Sequence, residues 1–464
     1  MIGSLVIKDT IQNSITLLSS YKDKLDNSAN VFVFVRNEVD ATGDVINDFL
    51  DIIDYAVKNG YYYVNTIVAP AKECAASELP DNVLYIVWLA LNKDHYFNKD
   101  AIRESHIWKD VEWGKRARNY NPKGKDPGNV WIPTKDDGKA NITEHILLDT
   151  SALINRILSC SAQEGLETLL VTSDDINTLE LDSRINVKPI AKDDAKSDVS
   201  PYYTDPEVKQ PTEITGTVIW GTSENMGKIP DNSISVVVTS PPYWDLKDYF
   251  KEGQIGQEPY PIYLNRLNKV WRECFKKLND TGSLWININI RTKNGKVILI
   301  PKDFIIQCKR IGFHYKGILI WHKSSGIPTH DKNIVDRHEY VLVFSKSEKL
   351  KLNNSITSYH DYKNEVINGG VFWNINRKAG SVGKHFIHPA IYPNELVSRI
   401  VKATTDENET VLDPFLGSGT TLVASVTDGR NCIGYEYNEG FKELIQSRIN
   451  SETGSCDSGI KTFI

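Results

Sequence analysis

The amino-acid sequence predicts an α/β protein built on a doubly wound parallel sheet. In the C-terminal half, short strand-like runs alternate with helical patterns, as expected for strands joined by helical crossovers. Two of these runs, Ile234–Val238 and Thr410–Leu412, lead directly into loops of unusual composition. Ligands of open α/β sheets bind where loops leave the carboxyl ends of the strands. The two loops therefore mark the predicted functional site.

Each predicted element follows from the length and spacing of its apolar residues. Runs rich in β-branched and aromatic residues predict strands at Val236–Val238, Leu284–Ile288, Ile318–Trp321, Tyr340–Phe344, Thr410–Leu412 and Cys432–Tyr435. Apolar residues that recur every three to four positions predict helices, most clearly at Tyr263–Leu278 and Asn394–Thr404.

Length and composition indicate a globular protein of two or three domains, with 464 residues of which 40% are apolar and 25% charged. The longest apolar run, Val83–Leu91, is too short to span a membrane, and Met1–Asp9 lacks the pattern of a secretory signal. The six cysteines form no CxxC pair and have no histidine at zinc-ligand spacing. We therefore expect neither a disulfide framework nor a metal site, and a reducing, cytoplasmic location.

The net charge of −6 means that contact with nucleic acid must depend on local basic patches. Three patches are present: Lys115–Arg118 with Lys123 and Lys125, Arg291 with Lys293 and Lys296, and Arg377-Lys378 with Lys384-His385. Most charge clusters are only solvated surface, so a patch alone does not predict DNA binding.

The chain divides into two halves. Residues 173–211 lose their periodicity and fill with Asp, Lys, Ser and Pro, which predicts a linker. This linker separates a front domain, 1–172, from a second domain, 212–452, which is followed by a C-terminal tail, 453–464.

The two domains also match in sequence. Val31–Ala69 aligns with Ser283–Trp321 without a gap. Three further pairs keep the same order: Tyr85–Val87 with Tyr340–Leu342, Val130-Trp131 with Phe372-Trp373, and Leu153–Leu158 with Leu396–Val401. Chance similarity between two α/β segments is one explanation, and duplication of one unit is the one that we favour.

The loop Asp413–Thr421 suits a cofactor that carries a carboxylate. Gly417 and Gly419 let the backbone approach a ligand, and the following helix offers free N–H groups and a positive dipole end. No Gly-Lys-Ser/Thr closes the loop, so it is not a phosphate-binding P-loop. Glu436 follows the next strand, about 20 residues downstream, where an acid accepts the ribose hydroxyls of an adenosine cofactor.

The loop Ser240–Tyr243 suits the exocyclic amine of a base, whose lone pair is delocalised into the ring. Acceptors at Ser240 Oγ and the Pro241 carbonyl favour a tetrahedral nitrogen, and the two prolines hold the turn rigid. Tyr243 supplies a flat face for a base rotated out of the duplex. A Pro-Pro turn with a packed tyrosine is the alternative, and the presence of the Gly-rich loop and Glu436 disfavours it.

With these motifs, the second domain resembles the β group of amino-methyltransferases acting on DNA, in which the catalytic motif precedes the cofactor motif. The site-specific cytosine-N4 branch is similar at Thr239–Tyr249, Gly256–Glu258, Trp321–Lys323, His338–Tyr340 and His388–Pro393. The resemblance covers residues 213 to 450 or so. It implies a Rossmann-like class I methyltransferase fold, with S-adenosylmethionine as cofactor and methyl donor.

The resemblance also implies a flipped cytosine in double-stranded DNA, methylated at N4 without a covalent enzyme intermediate. It places the target-recognition region at 347–386. A cognate restriction endonuclease is the partner that such enzymes have in restriction–modification or phage-defence systems, and no membrane is implied.

Carried over by position, the resemblance assigns roles to three groups of residues. The catalytic loop comprises Ser240, Pro241, Pro242 and Tyr243. Cofactor contacts are assigned to Asp413, Phe415, Gly417, Gly419, Thr420, Glu436 and Tyr437. DNA contacts are assigned to Trp244, Lys323, Arg377, Lys378 and Lys384. One departure is Gly221-Thr222, where relatives tend to have Gly-Asp, so the contact to the adenine end of the cofactor is expected to be weaker or made differently.

The front domain lacks these motifs. Leu169–Ser173 stands where the second domain has Asp413–Gly417, and no Pro-Pro-Tyr occurs in 1–172. We expect a degenerate methyltransferase-like copy that binds no cofactor and serves as a scaffold, a DNA-binding surface or a built-in pseudo-dimer partner.

Alternative functions remain. Adenine-N6 enzymes more often have Asp or Asn at the position of Ser240, although all three side chains accept an amine hydrogen. The intact motifs disfavour a catalytically silent DNA-binding module of the same fold. Methylation of RNA or of protein amides uses related Pro-Pro-Tyr loops. The C5-cytosine reaction needs a thiolate, typically from a Pro-Cys turn, and the sequence contains no such turn.

Overall fold

The structure is a computed structural model, which describes residues 1–75, 79, 81–103, 123–132, 149–175, 179–190, 213–246, 251–323, 333–353, 370–376, 392–452 and 460–463. Within these residues, no helix is long and apolar enough to cross a membrane. In the same part of the chain, no group of His, Cys, Asp and Glu side chains is arranged to hold a metal ion.

The elements of the front half are, in chain order, β1 (Ile2–Lys8), α1 (Ile11–Tyr21), β2 (Leu25–Val35), β3 (Glu38–Val39), β4 (Val45–Asn47), α2 (Phe49–Lys58), β5 (Tyr62–Ala75), β6 (Asp81–Ala90), α3 (Thr150–Ser161), β7 (Glu167–Thr172) and β8 (Ile185–Pro189). Those of the second half are β9 (Ile214–Trp220), β10 (Ile234–Thr239), α4 (Tyr260–Lys277), β11 (Leu278–Ile288), β12 (Arg291–Lys293), β13 (Lys296–Ile298), α5 (Ile300–Ile311), β14 (His314–His322), β15 (His338–Ser345), β16 (Phe372–Asn374), α6 (Asn394–Thr404), β17 (Thr410–Asp413), α7 (Thr420–Thr427), β18 (Asn431–Glu436), α8 (Lys442–Glu452) and β19 (Ile460–Phe463). Every predicted strand of the second half lies inside an observed strand.

Helix α4 shows how the sequence specifies these elements. Pro261 lies in the first turn of α4, where a backbone N–H has no acceptor within the helix, so proline costs no hydrogen bond there. Tyr263, Leu267, Val270 and Trp271 recur at spacings of three and four and are buried, so one face of the helix packs on the sheet.

Two sheets form the framework. The first has six strands in the order β5-β6-β2-β1-β7-β8, and the second has nine in the order β16-β14-β15-β11-β10-β17-β18-β9-β19. The predicted α/β class is confirmed, but neither sheet is wholly parallel. Among the described strands, β6 runs antiparallel to β2 and β5, and β15 runs antiparallel to β11 and β14. Only residues 76–80 separate β5 from β6, which is too short a connection for a parallel crossover.

The two sheets share one topology. The order β5-β6-β2-β1-β7-β8 corresponds to β14-β15-β11-β10-β17-β18, with the same parallel and antiparallel pairs at each position. Even a local detail recurs: the indole Nε1 of Trp131 donates to the carbonyl of Gly128 at 3.1 Å, and that of Trp373 to the carbonyl of Gly370 at 2.9 Å. This correspondence supports the interpretation of the chain as a duplicated unit.

Two predicted boundaries are wrong. Residues 173–211, predicted to be a linker, contain β8, which pairs with β7 and extends the first sheet. Residues 453–464, predicted to be a tail, contain β19, which pairs with β9. The side chains of β8 are mostly exposed, so no buried face gives this edge strand an apolar period. Strand β19 has only four residues, too few to show one.

The two halves share one hydrophobic core. Along β1, Leu5 and Ile7 belong to one apolar cluster and Val6 to another, so both faces of the first sheet are covered. The first cluster continues into the second half, where it includes Val237 and Leu342. The halves therefore pack against each other through buried apolar side chains.

Candidate functional site

A cavity that is partly open to solvent lies at the carboxyl ends of β9, β10, β17 and β18. These strands are parallel, so the loops that follow them meet at one edge of the sheet. Of the residues that the sequence predicts for the site, those lining the cavity are Ser240, Pro242, Phe415, Gly417, Thr420, Glu436 and Tyr437. The two predicted loops thus line the same cavity.

Glu436, the last residue of β18, is the buried carboxylate of this cavity, with 9% of its surface exposed. Its Oε2 accepts the N–H of Gly417 at 2.7 Å, and its Oε1 accepts the N–H of Asn438 at 2.7 Å. Burial raises the pKa of the Glu436 carboxyl to about 7, although the two backbone N–H groups oppose this shift. Because each carboxylate oxygen has more than one lone pair, both oxygens can still accept hydroxyl groups.

The Gly-rich loop turns tightly between β17 and α7. Gly417 has φ 55° and Gly419 has φ 82°, conformations that side chains disfavour. A Cβ on Gly419 would lie 3.3 Å from Ile445 Cγ2, so this glycine also allows α7 to pack closely. Gly417 and Thr420 face the cavity, whereas Gly419 is not among its lining residues.

Asp413 does not face the cavity. Its Oδ1 accepts the hydroxyl of Thr239 at 2.7 Å, and its Oδ2 accepts those of Tyr392 at 3.0 Å and Thr421 at 2.6 Å. The side chain is fully buried, and burial raises the pKa of its carboxyl above the ordinary value. Asp413 therefore connects the ends of β10 and β17, and the predicted direct contacts of Asp413 and Gly419 with the cofactor are not supported.

Arg448 supports the Gly-rich loop from behind, a function that the sequence analysis missed. Its guanidinium is fully buried and donates to the Ser418 carbonyl at 3.0 Å and to the Thr420 hydroxyl at 2.8 Å. A further contact joins it to Glu452 at 3.0 Å. The sequence does contain a sign of this function. Arg448 is a charged residue at helical spacing from Ile445 and Ile449, on the face of α8 that is otherwise apolar and buried.

Contacts from α4 and its preceding segment fix the catalytic loop. Tyr263 donates its hydroxyl to the Pro242 carbonyl at 2.6 Å. Trp244 has φ 53°, a strained conformation for an aromatic residue, and its indole N–H donates to the Glu258 carbonyl at 2.8 Å. A Cβ on Gly256 would lie 2.7 Å from the Trp244 carbonyl oxygen, so only glycine fits there.

Tyr243 is anchored beside the cavity. Its hydroxyl donates to Glu339 Oε2 at 2.8 Å and accepts from Asn287 Nδ2 at 3.0 Å. Lys323 Nζ forms an ion pair with Glu339 Oε1 at 2.8 Å. Burial alone would raise the pKa of Glu339, but the charge and hydrogen bond of Lys323, with those of Tyr243 and Asn287, hold it below its usual value. We call Tyr243, Asn287, Lys323 and Glu339 the tyrosine cluster.

The predicted DNA contacts have mixed outcomes. Lys323 is only 7% exposed and belongs to the tyrosine cluster, so a direct contact with the DNA backbone is not supported. The ring of Trp244 lies 4.3 Å below the ammonium of Lys293, which also pairs with Asp245. Arg377, Lys378 and Lys384 lie outside the described residues, as does most of the predicted target-recognition region.

Thr222 stands where relatives tend to have an aspartate, and the nearby residue Glu224 provides a carboxylate instead. The Thr222 hydroxyl donates to Glu224 at 3.3 Å, and Glu224 forms an ion pair with Arg266 at 2.8 Å. Arg266 also donates to the Gly253 carbonyl at 3.1 Å. This bond holds the segment 251–255, which contributes to the cavity lining. The cavity wall there includes Ser223, a residue that the sequence analysis did not single out.

In the front half, the end of β1, which corresponds to the start of the catalytic loop, carries a lysine. Lys8 corresponds to Thr239, because Lys8 pairs with Phe34 in the way that Thr239 pairs with Ile286. Lys8 forms an ion pair with Asp174, just beyond β7. This ion pair joins the ends of β1 and β7, which correspond to β10 and β17, the strands at whose ends the second half has its cavity.

Comparison with known proteins gives a consistent result. A family model described as DNA methylase matches residues 234–447. The type II methyltransferase M.XycI of Xanthomonas campestris pv. cyanopsidis is 30% identical, over 49% of this chain and 85% of its own length. The type II methyltransferase M.SmaI of Serratia marcescens is 33% identical, over 46% and 83%. The solved PvuII DNA methyltransferase (cytosine-N4-specific) is 22% identical over 53% of this chain and 91% of its own, with a TM-score of 0.44.

Proposed function

This chain belongs to the N6/N4 DNA methylase family, and from that premise we propose that it methylates the exocyclic N4 of a cytosine at a specific site in double-stranded DNA. Its cofactor is S-adenosylmethionine. The observation that supports the proposal best is the single cavity lined by Ser240, Gly417 and Glu436. Methyl transfer needs the acceptor and the donor group side by side in one enclosed space.

The cavity fits this cofactor. Glu436 can accept both ribose hydroxyls, since the N–H groups of Gly417 and Asn438 leave lone pairs on both oxygens of its carboxylate. The backbone at Thr420, in the first turn of α7 and in the cavity lining, can receive the methionine carboxylate. Tyr437, 38% exposed, offers an aromatic face to the adenine. The bound cofactor supplies an electrophilic methyl group.

The catalytic loop makes the target nitrogen more nucleophilic. Ser240 Oγ and the Pro241 carbonyl accept the two amine hydrogens, which draws the lone pair out of conjugation with the ring. The bond from Tyr263 to the Pro242 carbonyl holds these acceptors in place before the base arrives. Such preorganised acceptors need no rearrangement during the reaction.

Nucleoside mass spectrometry tests the choice of base. DNA from a host without methylases, incubated with the protein and S-adenosylmethionine, is expected to yield N4-methylcytosine. Ser240 favours this product over N6-methyladenine. If N6-methyladenine alone appeared, the base assignment would be overturned and the DNA methylase activity would stand.

A DNA-binding module that has lost turnover is the second candidate. The lining of the cavity by predicted residues of both loops favours an enzyme. Calorimetry separates the two functions: the absence of heat with S-adenosylmethionine, together with no labelled methyl group on DNA, would establish the silent module.

We also propose that the front half binds no cofactor, which the Lys8–Asp174 ion pair supports. Calorimetric titration is then expected to give one S-adenosylmethionine per chain. Two bound molecules would contradict the proposal.

The type II relatives further lead us to propose a restriction–modification system, with a cognate endonuclease as partner.

A further inference from the structure

The tyrosine cluster depends on a segment that leads into β15. Glu339 is the second residue of β15, and residues 333–337 precede this strand. The backbone N–H of Lys323 donates to the Arg337 carbonyl at 2.6 Å. The positions of both Lys323 and Glu339 are thus set by where the segment 333–337 lies.

The front half binds this segment through its backbone. The N–H of Asn129 donates to the Val335 carbonyl at 2.9 Å, and the N–H of Val335 donates to the Pro127 carbonyl at 2.9 Å. Gly128 permits this approach, because a Cβ there would lie 2.5 Å from Arg337 Cδ. A short parallel pairing therefore joins the two halves next to the catalytic site.

Two buried amides of the front half complete the contact. Asn129 Oδ1 accepts the N–H of Arg337 at 2.8 Å, and its Nδ2 donates to Asp336 Oδ1 at 3.1 Å. Asn65 Nδ2 donates to Asn333 Oδ1 at 3.1 Å and to Asp336 Oδ1 at 3.3 Å. Asn65 is 6% exposed and Asn129 is 2% exposed, so loss of these partners would leave buried polar groups unsatisfied.

The contact also recurs with the halves exchanged. In the repeat alignment, Asn82 corresponds to Arg337 and Val371 to Asn129. The N–H of Val371 donates to Asn82 Oδ1 at 3.1 Å, and the N–H of Arg337 donates to Asn129 Oδ1 at 2.8 Å, so the same two positions pair in both contacts, with the donor and acceptor positions exchanged. Reciprocal pairs of this kind are typical of an interface between two equivalent subunits. The front half thus occupies the place that a second copy would have in a symmetric dimer.

We propose that the front half is a positioning subunit for the target-base side of the catalytic centre, acting through Asn65 and Asn129 on the segment 333–337 and from there on Glu339 and Tyr243. This inference rests on the proposed DNA methylase function. The cofactor side of the cavity depends on β17, β18 and α8, which this route does not include.

Three variants test the proposal. Asn129→Asp replaces the donor to Asp336 with a negative charge, and Asn65→Ala removes the other donor with less disturbance. Both are expected to lower kcat by about tenfold or more, as small displacements of reacting groups do. The calorimetric Kd for S-adenosylmethionine should stay within about twofold of the wild-type value, as no contact on the cofactor side changes. Asp336→Asn added to Asn129→Asp restores a donor–acceptor pair and should recover part of the lost kcat.

Lys302→Ala provides the matched control. It removes two inter-half ion pairs, with Asp54 at 2.7 Å and Asp51 at 3.2 Å, neither of which touches the segment 333–337. We expect Lys302→Ala to retain wild-type kcat even if its melting temperature falls as far as that of Asn65→Ala. Equal losses of kcat in these two variants, or weakened cofactor binding in Asn65→Ala, would overturn the positioning function. If Asn129→Asp does not fold, Asn65→Ala decides the outcome. Failure of the wild-type protein to methylate DNA would instead overturn the proposed function itself.

Discussion

At the scale of the residue, Glu436 combines two properties that oppose each other. Its carboxyl is buried enough to have a pKa of about 7, yet only the ionised form can accept both ribose hydroxyls. The energy of ionising this group in the free protein is therefore part of the energy of binding the cofactor. Proton and cofactor compete for the same oxygens.

We expect the affinity for S-adenosylmethionine to depend on pH. Above about pH 7 the carboxyl is ionised and affinity is constant, whereas below it a proton must leave, and affinity falls by up to about tenfold per pH unit. Calorimetry at about pH 8 and about pH 6 measures the effect. The control is Glu436→Gln, which cannot titrate and should bind more weakly at both values, with no such slope. A slope that persists in Glu436→Gln would assign the titration to another group.

Glu436 and Tyr243 should affect different steps. Glu436→Ala removes the acceptor of the ribose hydroxyls and is expected to raise the Kd for S-adenosylmethionine by about tenfold to a hundredfold. Tyr243→Ala removes a stacking face, which should lower turnover by about tenfold to a hundredfold while cofactor affinity is kept. Equilibrium titration and single-turnover kinetics measure the two effects. Equal losses of cofactor affinity in both variants would show that the two residues do not act on separate steps.

At the scale of the element, the catalytic loop is rigid because another segment packs against it. Gly256 has φ 113° and lies so close to the Trp244 carbonyl that any Cβ would collide with it. The motif Gly256–Glu258, which the sequence analysis singles out without assigning its role, thus supports the turn that carries Ser240.

Gly256→Ala is expected to lower kcat by about tenfold or more, because the turn must shift to accept the methyl group. Gly295→Ala is the control: this residue has φ 73°, in the turn between β12 and β13, and a Cβ there would meet nothing within 4 Å. Backbone strain is present in both variants, but only the first includes a collision. Unchanged kcat in Gly256→Ala would show that the loop does not need this contact.

The sequence predicted the strands and both loops because each has a strong apolar period or an unusual residue pair. It did not predict the antiparallel direction of β15, since the side chains of a strand alternate in the same way in either direction. The sequence predicts a cofactor contact for Asp413, but sequence spacing does not show on which side of a loop a carboxylate lies, and the structure turns this side chain away from the cavity. Arg448 and Asn129 were missed since their partners are distant in the chain: Ser418 for the first and Arg337 for the second.

At the scale of the whole molecule, one apolar cluster extends through both halves, from Leu5 and Phe49 to Trp285 and Leu342. Removing 1–172 would expose the part of this core that the front half covers. We therefore expect such a truncated protein to aggregate, and the function of the front half is better tested by point substitutions.

A shared core predicts cooperative unfolding. Differential scanning calorimetry of the full chain should show one transition, because neither half can separate without exposing buried apolar surface. S-adenosylmethionine at a hundredfold excess over its Kd should stabilise the folded protein by about 2.7 kcal/mol and move the whole transition upward. Two transitions, of which only one responds to the cofactor, would mean that the halves unfold independently.

The ion pair of Lys8 with Asp174 has a consequence for how the protein meets its substrate. On the proposal that the front half binds no cofactor, the protein has two halves of one topology but one methylating centre, and it approaches the duplex in a single polarity. On a palindromic sequence it can modify one strand per encounter and must dissociate, reverse and rebind to reach the other. Hemimethylated DNA should then build up early in the reaction and disappear late.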